Sequence, residues 1–169
     1  MTPTIYLAGA IRDGVHEDIE WREQMIEALS DQATILNPLG GKTYNSTTRE
    51  WDMSGIVPDG GVIVPHDFWC VQRADIVVFN FLSLADGYPT IGTLVEFGHA
   101  TARAPRVLLY GIVPPQYSGH GNSALFRLHP FLAQNCAAVF PTVEACMRFL
   151  FLHLQVLSGR ASRFGGYTT

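Results

Sequence analysis

Short apolar runs closed by Gly, Asn or Pro alternate along this chain with longer segments whose apolar residues recur every three or four positions. Thr4–Gly9 predicts a first strand, β-prone and stopped by a glycine. After a loop over residues 10–14, the spacing predicts a helix from near His16 to Ser30, with Ile19, Ile26 and Leu29 on one face beside Trp21 and Met25. A second strand over residues 33–36 stops at Asn37-Pro38-Leu39-Gly40-Gly41. Residues 42–65 interleave Gly, Ser, Thr, Asn and Pro around Tyr44, Trp51 and Met53. So long a loop, with apolar content that disorder does not need, predicts a lid over a pocket, with short helical pieces.

A helix over residues 66–74 then feeds a third, strongly apolar strand over residues 75–81. The next helix opens on Gly92-Thr93 and runs to about residue 104, with Leu94, Phe97 and residues 100–102 along one stripe. A fourth strand (106–110), a loop (114–121), a short helical stretch (122–132) and a fifth strand (137–140) follow. Thr142 caps a last helix that buries Val143, Met147, Leu150, Leu154 and Leu157, before a polar tail over residues 159–169 that carries Phe164 and Tyr167. Strands alternating with helices at these spacings imply a five-stranded, doubly wound parallel sheet with helices on both faces. The pattern predicts one domain over residues 1–169, without repeats.

Composition narrows the class. A hydrophobic fraction of 47% against 15% charged residues indicates a compact globule rather than a disordered chain. The net charge of −4 gives no basic footprint, which argues against nucleic-acid polymers as partners but not against a small anion. Cys70, Cys136 and Cys146 are odd in number and match no metal-ligand spacing, so reduced, mostly buried thiols are expected, with no metal and no cofactor. No signal peptide and no run of membrane-spanning length are visible, so a cytoplasmic protein is expected.

One charge is out of place. Glu96 is the sole acid between Asp86 and Glu144, and it lies in an apolar stretch just after the third strand. The carboxyl ends of parallel strands are where open α/β sheets bind ligands, and loops after the first and third strands are neighbours there. Tyr6, the Gly9 loop and the turn before Glu96 can therefore converge, and a phenol bonded to a carboxylate would orient it and tune its basicity. Read alone, Tyr6 also fits a core aromatic, Glu96 a partly exposed helix position, and Asp67 the N-cap of a short helix. His99, one turn beyond Glu96, fits a structural histidine. The Gly9-Ala10-Ile11-Arg12 loop lacks the glycines of a dinucleotide fingerprint, and no G-x-S-x-G nucleophile elbow is present.

Ile5-Tyr6-Leu7-Ala8-Gly9, Asp67 ahead of Ala74-Asp75-Ile76-Val77-Val78, and above all Gly92-Thr93-Leu94-Val95-Glu96-Phe97-Gly98-His99-Ala100 resemble the nucleoside 2-deoxyribosyltransferase family in its broad sense. The resemblance implies a flavodoxin-like fold and cleavage of the N-glycosidic bond of a 2′-deoxyribonucleoside. It makes Glu96 the nucleophile at the anomeric carbon, Tyr6 its holder, and Asp67 the group that contacts the base and helps protonate it. It also implies substrate contacts from Gly9, Ile11, Asn37, Trp51, Thr90, Gly92 and Tyr167, and from Asn122 or Ser123 reaching a neighbouring subunit's site. The partners implied are a deoxynucleoside and a free nucleobase, in a homo-oligomer built from dimers with shared sites.

The departures matter. Transferases of the family often carry an acid where this chain has Thr90, and related 5′-monophosphate N-glycosidases tend to have serine there and near residue 123. Arg12 also resembles that phosphate-tolerant branch. A hydroxyl in place of a carboxylate removes repulsion against a phosphate. Transfer of deoxyribose is therefore the first expectation, and hydrolysis of nucleoside 5′-monophosphates the alternative. A nucleotide-binding sensor without turnover is a third.

Overall fold

The structure is a computed structural model that describes residues 2–12, 15–39, 43–45, 50–52, 60–88, 90–114 and 130–158; of 43–45, 50–52, 60–62 and 130 it describes the backbone. Among the described residues, seven strands and five α-helices follow in chain order: β1 (Thr4–Gly9), α1 (Glu17–Leu29), β2 (Thr34–Leu36), β3 (Thr43–Asn45), β4 (Glu50–Asp52), α2 (Gly60–Arg73), β5 (Ile76–Asn80), α3 (Ile91–Thr101), β6 (Leu108–Ile112), α4 (Pro130–Asn135), β7 (Ala138–Phe140) and α5 (Val143–Leu157). A 3₁₀ helix, Leu82–Asp86, links β5 to α3.

The main sheet has the order β2-β1-β5-β6-β7, and every pairing in it is parallel. Chain order reverses between β1 and β5, which opens the crevice where doubly wound sheets bind ligands. Period-2 alternation along β1 divides its side chains between two cores. Ile5 and Leu7 pack with Trp21, Met25 and Leu29 of α1 and with Cys146, Leu150 and Leu154 of α5. Tyr6 and Ala8 face the opposite core, with Cys70 and Val71 of α2 and Phe97 and Ala100 of α3. The expected doubly wound α/β architecture is the one observed.

Several local expectations change. The 42–65 segment holds a two-stranded antiparallel hairpin, β3 with β4, and the first six residues of α2. Helix α2 therefore starts well before His66 and contains Pro65. A proline lacks the N–H for its bond to the preceding turn and usually ends a helix; here α2 continues through it, with Pro65 as its sixth residue. Asp67 is thus mid-helix and not an N-cap. In α3 the buried stripe is Thr93, Glu96, Phe97 and Ala100, while Leu94 is 44% exposed. Phe97 and Ala100 are buried as the spacing predicts, and Leu94 is not, its place on the inner face being taken by Thr93. In α5, Cys146 occupies the core instead of Leu157, which is exposed. Thr142 caps α5 as expected, its hydroxyl accepting from Ala145 N at 3.1 Å.

Candidate active site

The cleft forms where β1 and β5 end. Its floor is the turn after β1, at Gly9, Ala10 and Ile11; one wall is α2, through Ile63, Asp67 and Phe68, and the other is the first half of α3 with Tyr88 and Thr90. The cavity measures about 620 Å³, within the range of small-molecule sites. Two contacts fix its walls. Gly9 carries no side chain because an added Cβ would stand 3.1 Å from the Trp21 ring, 3.2 Å from Asn80 Cβ and 3.3 Å from the Arg22 guanidinium. Arg103, just past α3, donates to the carbonyls of Val71 and Ala74 at the end of α2, which ties the helix of Asp67 to the helix of Glu96.

Tyr6 and Glu96 meet across the cleft floor. The Tyr6 hydroxyl donates to Glu96 Oε1 at 2.5 Å, with Tyr6 fully buried and Glu96 8% exposed. A contact this short between phenol and carboxylate is a charge-assisted bond. Burial pushes the Glu96 carboxyl up to about 7; Asp67 adds to the rise, while the Tyr6 bond and the Arg22 charge oppose it. Burial and the neighbouring carboxylates raise Tyr6 far above the ordinary phenol range, so it stays protonated and acts as a donor. Asp67 lies on the facing wall, its carboxylate 3.3 Å from His66 Nδ1. Burial raises the Cys70 thiol, behind Asp67, to about 11, so it remains neutral and is no rival nucleophile.

Of the residues expected to bind substrate, Gly9, Ile11, Thr90 and Gly92 line this cleft with Glu96 and Asp67. Asn37 is not brought to the wall; its Oδ1 accepts from Leu39 N at 3.0 Å, and Pro38 lines the cleft in its place. The Trp51 side chain, Asn122, Ser123 and Tyr167 lie outside the described residues. His99 stacks on Phe68 at 4.4 Å, so it supports α2 and forms no acid–base pair with Glu96. Arg12 is also not in the cleft wall. Its guanidinium forks onto Asp18 at 2.8 and 2.9 Å, reaches Asp86 at 2.9 Å, and sits 5.3 Å from the centroid of the Tyr88 ring.

Sequence reasoning missed Ile63, Phe68, Tyr88 and Val95 as lining residues. The four-residue step from Ile63 to Asp67 carried that signal, had α2 been extended through Pro65. It also missed Arg22, which is fully buried beside the floor. A second cavity, of about 680 Å³, lies between α1 and the turns after β5 and β6 and is lined by Glu17, Glu20, Asp86 and Glu144. It is slightly larger, but it holds no phenol–carboxylate pair, so the chemistry is assigned to the cleft.

Arranged this way, a near-neutral carboxylate can attack an electrophilic carbon while a second carboxyl faces it across the cavity. Solved structures with the same fold include a conserved protein from Enterococcus faecalis V583 (16% identity, TM-score 0.63, covering 90% of this chain and 99% of that one). They also include a 2-desoxiribosyltransferase from Leishmania mexicana (16%, 0.58, 89% and 98%) and a CMP N-glycosidase from Clostridium botulinum (15%, 0.54, 88% and 98%). No curated protein matches the sequence. The family model described as "Nucleoside 2-deoxyribosyltransferase like" matches residues 2–114, the span that carries β1, Asp67, Glu96 and every described cleft residue, and the chain belongs to that family.

Proposed function

We propose that this protein is a nucleoside 2-deoxyribosyltransferase that carries the sugar between nucleobases as an ester on Glu96. The observation that supports the reading most is the 2.5 Å Tyr6–Glu96 bond, buried at the floor of a nucleoside-sized cleft. With Oε1 held by Tyr6, the free carboxylate oxygen attacks C1′ of the deoxyribose. The C1′–N bond breaks, its electron pair leaves with the base, and Asp67 supplies or relays the proton that neutralises the departing nitrogen. A second base then attacks C1′ from the vacated face, releases Glu96 as carboxylate and restores the original anomeric configuration; water in its place gives hydrolysis. A carboxyl titrating near 7 suits this task, because it is substantially ionised near neutrality yet remains a reactive nucleophile.

Hydrolysis of nucleoside 5′-monophosphates is the second reading, favoured by one feature. Thr90 is 3% exposed, and its hydroxyl has no partner among the described residues, so a neutral donor stands at the cleft without a carboxylate to repel phosphate. Arg12 weighs on the other side, because Asp18 and Asp86 take up its donors. Exposed apolar side chains at the rim, Val64, Ile91 and Val95, support an oligomer in which a second copy covers the cleft and brings Asn122 or Ser123.

Incubation of the protein with deoxyinosine or deoxyadenosine and a different free base, followed by chromatography, tests the assignment. A new deoxynucleoside is the expected product. Faster reaction of the 5′-monophosphate with only free base released would move the assignment to the hydrolase, and ligand binding without turnover would leave a sensor.

A further inference from the structure

Arg22 is a cation where none is expected. It is fully buried, and among the described residues no carboxylate forms an ion pair with it. A buried charge without a counter-ion is costly unless its hydrogen bonds are satisfied. Here four backbone carbonyls satisfy it. Nη2 donates to Gly9 O at 2.8 Å, Nη1 to Ala10 O at 3.3 Å and to Asp18 O, and Nε to Leu7 O at 3.4 Å. Three of those carbonyls belong to the end of β1 and the turn that floors the cleft. The Gly9 position is itself restricted by this guanidinium, which would stand 3.3 Å from an added Cβ.

We propose that Arg22 is a positioning residue for Glu96: its guanidinium holds in shape the end of β1, the strand that carries Tyr6, and puts a fixed positive charge beside the turn that floors the cleft. The guanidinium also lies 4.6 Å from the Trp21 ring centroid, and these uncharged partners leave its positive charge uncancelled. Tyr6 from β1, Asp67 and Cys70 from α2 and Arg22 from α1 interact with Glu96, Asp18 from α1 acts on Arg22, and His99, one turn along α3, stacks on Phe68; β5 contributes no titratable group. Arg22 is the fixed cation in that set, facing two or three carboxylates. Burial lowers Arg22 to about 10, against the pull of Tyr6, Asp18, Glu96 and Asp67, so it stays charged at neutral pH, and its charge draws Glu96 down toward ionisation. The inference rests on the proposed role of Glu96 as nucleophile.

The experiment separates charge from shape. The Glu96 carboxyl is titrated by carbon-13 NMR, and the acid limb of kcat/KM is measured in parallel, for the parent protein, Arg22→Lys, Arg22→Gln and Arg22→Met. Lysine keeps the charge but loses the fork. It is expected to leave both midpoints within about 0.3 pH units while raising KM. Loss of the charge in the Gln and Met variants is expected to move both midpoints up by about one pH unit. Unmoved midpoints in a folded Gln or Met variant would overturn the proposal, as would a shift in Lys equal to theirs. If neither neutral variant folds, the parent protein decides: the Arg22 Nε–H signal should shift with the Glu96 midpoint and lose that step in Glu96→Gln, and a flat signal would overturn the proposal. Absence of turnover in the parent would refute the transferase reading instead, leaving the NMR titration to judge Arg22.

Discussion

Replacing Tyr6 with Phe removes one hydroxyl and little else, since the ring already packs in the α2–α3 core. The lost bond is the 2.5 Å donor to Glu96, buried and therefore unscreened by solvent. A hydrogen bond to a charged group contributes about 1.5–3 kcal/mol, which corresponds to a rise of about 1–2 pKa units in the carboxylate that loses it. The bond to Tyr6 lowers the Glu96 pKa, so its removal must raise it above the present value of about 7. At pH 7 the ionised fraction then falls from about half to between a tenth and a hundredth, a loss of roughly 5- to 50-fold in kcat/KM. The assay is the base-exchange reaction measured from pH 5 to 9.5 for both proteins, with thermal melts to confirm folding. The loss should be greatest at low pH and shrink above pH 8 as Glu96 ionises again. A deficit of the same size at every pH would refute the reasoning, because Tyr6 would then act on geometry alone.

Three further outcomes follow from the same structure. Glu96→Gln should abolish transfer yet stabilise the fold: the folded carboxyl titrates near 7 against an ordinary 4.5, so the parent loses stability as pH rises through that window and the variant does not. The gap in unfolding free energy should open between those values, level off above pH 7 at no more than about 3 kcal/mol, and be readable from denaturant melts at several pH values. Gly9→Ala should destabilise by about 1–3 kcal/mol in the same melts, because its Cβ meets Trp21, Asn80 and Arg22 at 3.1–3.3 Å. Thr90→Asp should lower turnover of a 5′-monophosphate relative to its nucleoside by about tenfold or more, through like-charge repulsion across the cleft, measured as the ratio of the two kcat/KM values.

How much of this was legible in the chain depends on what each residue contributes to a pattern. The central strands β1, β5 and β6 are largely buried apolar runs, and such runs are visible directly. Glu96 stood out because a carboxylate among apolar residues contradicts its surroundings, and that contradiction persists in the fold as a raised pKa. The α3 stripe was legible at Phe97 and Ala100 but not at Leu94, because the inner face also takes the polar Thr93 and Glu96 while the apolar Ile91, Leu94 and Val95 face outward. Arg22 was invisible for the converse reason: an arginine on a helix reads as solvated, and only the carbonyls of β1, fifteen residues or fewer away, reveal why it is buried. The β3–β4 hairpin, with three residues in each strand, is too short to show a period. Pro65 concealed the true start of α2.

The central claim is that Glu96 becomes bonded to the sugar. Rapid acid quench of the protein mixed with excess deoxynucleoside and no acceptor base, followed by proteolysis and mass spectrometry, reads that bond directly. The account predicts a deoxyribosyl adduct on the peptide that carries Glu96, which disappears when a free base is added before the quench. Turnover with that peptide unmodified at every time point, or an adduct on another side chain, would contradict it.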